Sequence, residues 1–98
     1  MILHTVTFKL KHDLGSKEES AFLNKADSLI NISTVLNFEC YKQVSKKNHF
    51  QYALSMNFEN QEDYDTYCDH PDHVAFVQKT WLPEVEDFIE LDYVTLDI

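Results

Sequence analysis

Glycine is almost missing from these 98 residues: Gly15 is the single one, accompanied by only two prolines and two cysteines. Phosphate-cradling loops need several glycines, because backbone amides must come close to the ligand, so P-loop and dinucleotide-binding chemistry is excluded. Cys40 and Cys68 lie on different expected elements and show no CxxC spacing, as in a chain kept reduced in the cytosol. Basic residues are scarce too, eight against seventeen acidic ones, for a net charge of -9. Phosphate backbones and anionic membrane surfaces are repelled by that balance, and no nucleic-acid partner is expected. No apolar run approaches the ~18 residues that cross a bilayer, and the chain opens on a strand-like run rather than a leader pattern. The expectation is a cytoplasmic protein with no membrane partner.

What is present is apolar and aromatic. Hydrophobic residues make up 44% and aromatics 13%, with seven Phe, five Tyr and one Trp, too apolar for disorder. Residues 1–98 are read as a single domain. A chain this short buries only about 60 to 68% of its unfolded surface, so a second copy would help it.

Ile2 to Leu10 alternates, with Ile2, His4, Val6, Phe8 and Leu10 on one face, and reads as a strand. Asp13, Gly15 and Ser16 form a turn and cap, Glu18 and Glu19 suit a first helical turn, and a helix is expected to about Ile32 with Phe22, Ala26, Leu29 and Ile30 inward. Val35 to Val44 and Phe50 to Phe58 read as a hairpin around Ser45-Lys46-Lys47-Asn48. Asn60 caps a second helix through Cys68, and Pro71 restarts it with Val74, Val77 and Trp81 inward. Pro83 bends the remainder, and Ile89 to Leu96 returns to strand character.

The order β-α-β-β-α-β is the ferredoxin-like split βαβ arrangement of the α+β class, a four-stranded antiparallel sheet with helices on one face. Its other face, with Leu3, Thr5, Thr7, Ala53, Ser55 and Asn57, stays bare. A second sheet stacked on it about 10 Å away would make a homodimer.

The strand Ile2-Leu3-His4-Thr5-Val6-Thr7-Phe8-Lys9, the junction Met56-Asn57-Phe58-Glu59-Asn60, the segment Tyr67-x-x-His70-Pro71-x-His73 and the closing Asp92-Tyr93 together resemble the stress-responsive A/B barrel domain family across nearly the whole chain. The resemblance implies a dimeric α+β barrel. In the family's polyketide cyclase branch a Tyr and a His act as an acid/base pair, matching Tyr67 and His73, and a strand His matches His4. Tyr52 stands where that branch has a further pocket His, and Glu90 where it has an apolar residue.

Near the start of the helix opened by Pro71, His73 meets unpaired amides and the positive end of the helix dipole, which keep an imidazole neutral. A neutral imidazole takes protons from acidic carbons or hydroxyls; the plainer role is a bond to a backbone carbonyl at the helix junction. Tyr67 turns its hydroxyl toward the same space to polarise a carbonyl, or is a core tyrosine. His4, on an apolar face, needs a partner or a ligand. Phe22, Tyr52, Leu54, Phe76, Val77 and Trp81 line the space between sheet and helices, either as filled core or as the wall of a pocket for a small apolar or aromatic ligand. His70 and His73 have a spacing that admits a metal, but Pro71 favours capping by His70, so no metal site is assigned. Asp72 complements the helix dipole.

Three functions follow. The first is cofactor-free proton transfer by His73 and Tyr67 in a cyclase, isomerase or lyase. The second is a non-enzymatic, stress-related or structural dimer with a filled core. The third, weaker, is a haem-handling or monooxygenase-like relative.

Overall fold

The computed structural model describes residues 1–97. Strand β1 (Ile2–Leu10) buries every second side chain from His4 onward, as its alternation requires. Gly15, with φ +79, turns the chain in a backbone region that side chains with a Cβ seldom enter. Helix α1 (Lys17–Asp27) then starts on Ser16, whose hydroxyl accepts the Glu19 amide at 3.2 Å. The Glu19 carboxylate accepts the Gly15 amide at 3.1 Å and also the Tyr52 hydroxyl, tying the start of α1 to the sheet.

The expected single helix to Ile32 is corrected at its end. Ser28–Asn31 tightens into a 3-10 turn, and the Ser28 hydroxyl donates to the Lys25 carbonyl at 2.5 Å. Three residues per turn instead of 3.6 changes which side chains face inward. Leu29 and Ile32 are buried, whereas Ile30 turns outward at 53% exposure.

Strands β2 (Leu36–Lys42) and β3 (Tyr52–Phe58) form the antiparallel hairpin, each shorter at the loop end than the alternation suggests. There the Gln43 side chain donates to the carbonyls of Ser45 and Phe50 and to Asn48 Oδ1, at 3.0, 2.7 and 3.0 Å, replacing ladder bonds with a cross-linked loop. Between Leu36 and Glu39 the register slips, and Asn37 takes a positive φ of 52.

Helix α2 (Gln61–Asp69) is capped by Asn60, which accepts the Asp63 amide at 2.9 Å. It stops at His70, whose Nδ1 accepts the Asp72 amide at 3.1 Å and so caps α3 (Pro71–Phe76). Beyond α3 the helix widens into a π turn, Val77–Trp81, before a last turn, Leu82–Glu84. Pro83 offers no N–H and its ring would collide with the carbonyl four residues back, so a wider turn relieves the clash. Val74, expected inward, is 39% exposed.

Strand β4 spans Val85–Tyr93, not Ile89–Leu96. Glu86, Asp87, Glu90 and Asp92 are weak strand formers, but pairing with β1 from Leu3↔Tyr93 to Leu10↔Val85 overrides that preference.

The antiparallel sheet has the order β2-β3-β1-β4 and the ferredoxin-like topology, with the helices on one face. Two apolar clusters fill the space beneath them. One centres on Phe8, Phe22, Leu54 and Trp81, the other on Met56, Phe58, Tyr64 and Tyr67, and Phe38 and Phe76 pack against both. Fully burying Phe8, Phe22 and Phe58 contributes about 1.5–3 kcal/mol each. The opposite face carries Leu3 beside Tyr93, Thr5 beside Leu91 and Thr7 beside Ile89, with Ala53, Ser55 and Asn57 on β3. Ile89, Leu91 and Tyr93 are about half exposed there. Among the described residues no helix is long and apolar enough to cross a membrane.

Candidate functional site

Where the two apolar clusters meet under α3, a cleft of about 330 Å³ opens. From the sheet, His4 and Val6 of β1 and Leu54 and Met56 of β3 form its floor, and Phe88 and Glu90 of β4 one side. Leu29, Tyr67 and Cys68 wall it on another side, and the segment from His73 through Phe76, Val77 and Trp81 to Leu82 closes it above. The cleft is mostly apolar and its polar groups gather at one end.

Of the residues singled out from sequence, His4, Leu54, Tyr67, His73, Phe76, Val77 and Trp81 are brought together in this wall. Phe22 and Tyr52 are not. Phe22 lies fully buried against Phe8, Phe76 and Trp81, and Tyr52 gives its hydroxyl to Glu19 near the start of α1.

His73 donates from Nδ1 to the Cys68 carbonyl at 3.1 Å across the α2–α3 break. Only an N–H can bond a carbonyl, so Nδ1 carries the proton and Nε2 of the neutral ring keeps its lone pair. Burial pulls the proton affinity of His73 down, the His4 and His70 rings act the same way, and the Cys68 carbonyl and Glu90 oppose them. Tyr67 lies against it, the two ring centroids 4.3 Å apart. The Tyr67 hydroxyl has no hydrogen-bond partner among the described residues, and burial above all, with the neighbouring Cys68 and the charge of Glu90, raises its pKa. Tyr67 therefore keeps its proton and is a donor. Cys68 also stays protonated, its thiol pushed up by burial and then by Glu90, Asp65, Asp69 and Asp92.

His4 has the partner its position demands. Its Nδ1 lies 2.6 Å from Asp92 Oδ1, directly across the β1–β4 ladder, which holds the ring as the Nδ1–H form and leaves Nε2 without a partner among the described residues. The Tyr64 hydroxyl sits 3.0 Å from the same nitrogen, donates to Asp92 Oδ2 at 2.8 Å, and reaches Glu90 Oε1 at 3.3 Å. Donor atoms of His4, Glu90 and Asp92 lie within 4.8 Å of one another, a mixed nitrogen and oxygen set able to take a divalent cation. The imidazole N–H and the Tyr64 hydroxyl already satisfy Asp92 without one.

Tyr64, Glu90, Asp92 and Phe88 were missed as site residues. Phe88, Glu90 and Asp92 share one strand face, and Tyr64 precedes Tyr67 by the three residues that put both on one side of a helix. Both periodicities are written in the sequence, but the acidic strand concealed the first.

The stress responsive A/B barrel domain model matches residues 2–95. A stress-response A/B barrel domain-containing protein of Arabidopsis thaliana is 30% identical over 96 residues, covering 96% of this chain and 36% of the relative. The chain thus spans about a third of that relative's length. A crystal structure from Mesorhizobium loti, described as a dabb family protein with a ferredoxin-like fold, is 49% identical with a TM-score of 0.97, covering 98% of this chain and 97% of that one. A dimeric protein of ferredoxin-like fold from Bacteroides fragilis is 26% identical with a TM-score of 0.73, covering 96% of this chain and 95% of that one. A family model spanning all but the first residue and the last three, on the topology that family shares, decides the matter: the chain belongs to the stress responsive A/B barrel domain family.

Proposed function

We propose that this chain is a small-molecule-binding homodimer whose cleft carries cofactor-independent proton transfer, of the cyclase, isomerase or lyase type. What carries the reading is the pairing of His73 and Tyr67 at the polar end of the cleft. His73 is a neutral base with Nε2 free, and Tyr67 is a protonated donor with its hydroxyl unengaged. Nε2 removes a proton from an acidic C–H or O–H of the ligand while the Tyr67 hydroxyl donates to the oxygen on which charge develops. His4, held by Asp92, offers its Nε2 as a fixed acceptor that orients the ligand. The hydrophobic walls limit the water around these donors.

Dimerisation is supported by the bare sheet face. Leu3, Ile89, Leu91 and Tyr93 form an apolar stripe on the bare sheet face, as suits an isologous contact between two sheets.

The test begins with a thermal-shift screen for a compound that raises the melting temperature, followed by a turnover assay on the hits. His73→Ala abolishes turnover and leaves the dimer intact; unchanged turnover removes the role assigned to His73.

A second reading has its own observation. The His73 bond to the Cys68 carbonyl closes the α2–α3 junction, and a histidine retained for that alone suits a non-enzymatic, structural dimer. On that reading the screen yields no ligand, and His73→Ala lowers stability without other effect.

A further inference from the structure

The charge inside the cleft is of one sign. Glu90 faces it from β4, and none of the chain's lysines lines it. The chain contains no arginine at all, the residue whose planar fork most often pairs a ligand carboxylate. Among the described residues Glu90 is also left without its own counter-charge. The Tyr64 hydroxyl that reaches it has one proton to give, and Asp92 at 2.8 Å is better placed to take it than Glu90 at 3.3 Å. The His4 N–H is spent on Asp92.

Beside this carboxylate stands an aromatic pair. Phe88 precedes Glu90 by two residues on the same strand face, ~7 Å along the strand. Trp81 meets Phe88 edge to face, with centroids 5.5 Å apart, and Phe76 lies 6.3 Å from Trp81. Phe88 is 45% exposed at the cleft, and a carboxylate beside an aromatic ring is an arrangement that holds an ammonium group, through the ion pair and the negative face of the ring together.

We propose that the cleft selects small aromatic molecules bearing a protonated amine, with the ammonium on Glu90 and the ring among Phe76, Trp81 and Phe88. This rests on the cleft being a small-molecule site and deepens that reading by naming the ligand class. Ligand carboxylates are rejected, because they meet Glu90 with no cation to offset it. The same cleft keeps His73 neutral, so no imidazolium competes for Glu90 near neutral pH.

The experiment uses the protein's own reporter. Trp81 is the single tryptophan of the chain and lines the cleft, so its fluorescence reads binding there. The full-length protein is titrated with three probes on one skeleton: phenethylamine, phenethyl alcohol and 3-phenylpropanoate. The amine binds about tenfold more tightly than the alcohol, the sum of a half-exposed ion pair and a cation–π contact, and the carboxylate binds most weakly. The amine's advantage shrinks as salt is added. Glu90→Gln, a change at an exposed position that circular dichroism checks for folding, brings amine and alcohol to equal affinity. Equal binding of amine and alcohol by the wild type overturns the ligand class and leaves the cleft as a binding site. An amine preference that survives in Glu90→Gln overturns Glu90 as its cause. Binding of none of the three overturns both this inference and the small-molecule reading beneath it.

Discussion

The two imidazoles at the cleft, His73 and His4, each have one ring nitrogen bonded and the other without a partner among the described residues. For His73 the carbonyl of Cys68 fixes the tautomer, and burial lowers the pKa from the ordinary 6.5. The sign of its effect on stability follows. Because the unfolded chain binds this proton more readily, the neutral ring favours folding above 6.5, and that advantage is lost as pH falls through the lower value of the folded state. Replacing His73 by Gln removes this dependence, so melting temperatures of wild type and variant, compared from about pH 7 down to about pH 5, converge as the acid limit is approached. A gap that widens instead contradicts the assigned environment. Tyr64→Phe deletes the hydroxyl that links His4, Asp92 and Glu90. It lowers the urea midpoint by the equivalent of about 1 kcal/mol without changing the slope, and an unchanged midpoint shows that the network adds nothing to the fold. His4 and His73 stand out in the sequence, one as a polar group among apolar ones and the other near a helix start, and Tyr67 stands out through the Tyr67-x-x-His70-Pro71-x-His73 segment. Tyr64 and Glu90 share a helix side with Tyr67 and a strand face with Phe88 and Asp92, but what those faces meet is set by long-range packing and pairing, which local spacing does not report.

Element boundaries were legible where a cap or proline acts locally and obscure where pairing decides. Asn60, His70 and Pro71 mark their helix ends by chemistry confined to three residues. Asn60→Ala therefore costs about 1 kcal/mol in denaturant unfolding, from loss of the bond to the Asp63 amide; no measurable change places the helix start elsewhere. Strand β4 is the opposite case. Its acidic residues argue against a strand, and the ladder with β1 makes one nonetheless, moving its start four residues earlier than the apolar pattern indicated. The shift matters for function, because only that register brings Asp92 opposite His4 and Glu90 into the cleft. Similarly, the π turn before Pro83 lies in the same helical segment that presents Val77 and Trp81 to the cleft.

For the whole molecule, composition and element order made the α+β topology readable, whereas they left open whether the space between sheet and helices is filled core or pocket. A cavity is a difference between two packed clusters, and Phe22 and Trp81 look alike in sequence although one fills the core and the other walls the cleft. The proposed dimer gives its own test. Leu91→Lys places a charge in the apolar stripe of the bare sheet face and converts the protein from two chains to one in multi-angle light scattering, while circular dichroism stays native. A dimer that tolerates this change is held by another surface. The most direct measurement of the proposed site is a crystal structure of the protein with the compound that stabilises it most in a thermal-shift screen. The compound is expected in the cleft against His73 and Tyr67, with a polar atom within hydrogen-bond reach of both Nε2 and the Tyr67 hydroxyl. A cleft closed by Phe76 and Trp81, with the compound bound elsewhere, contradicts the site.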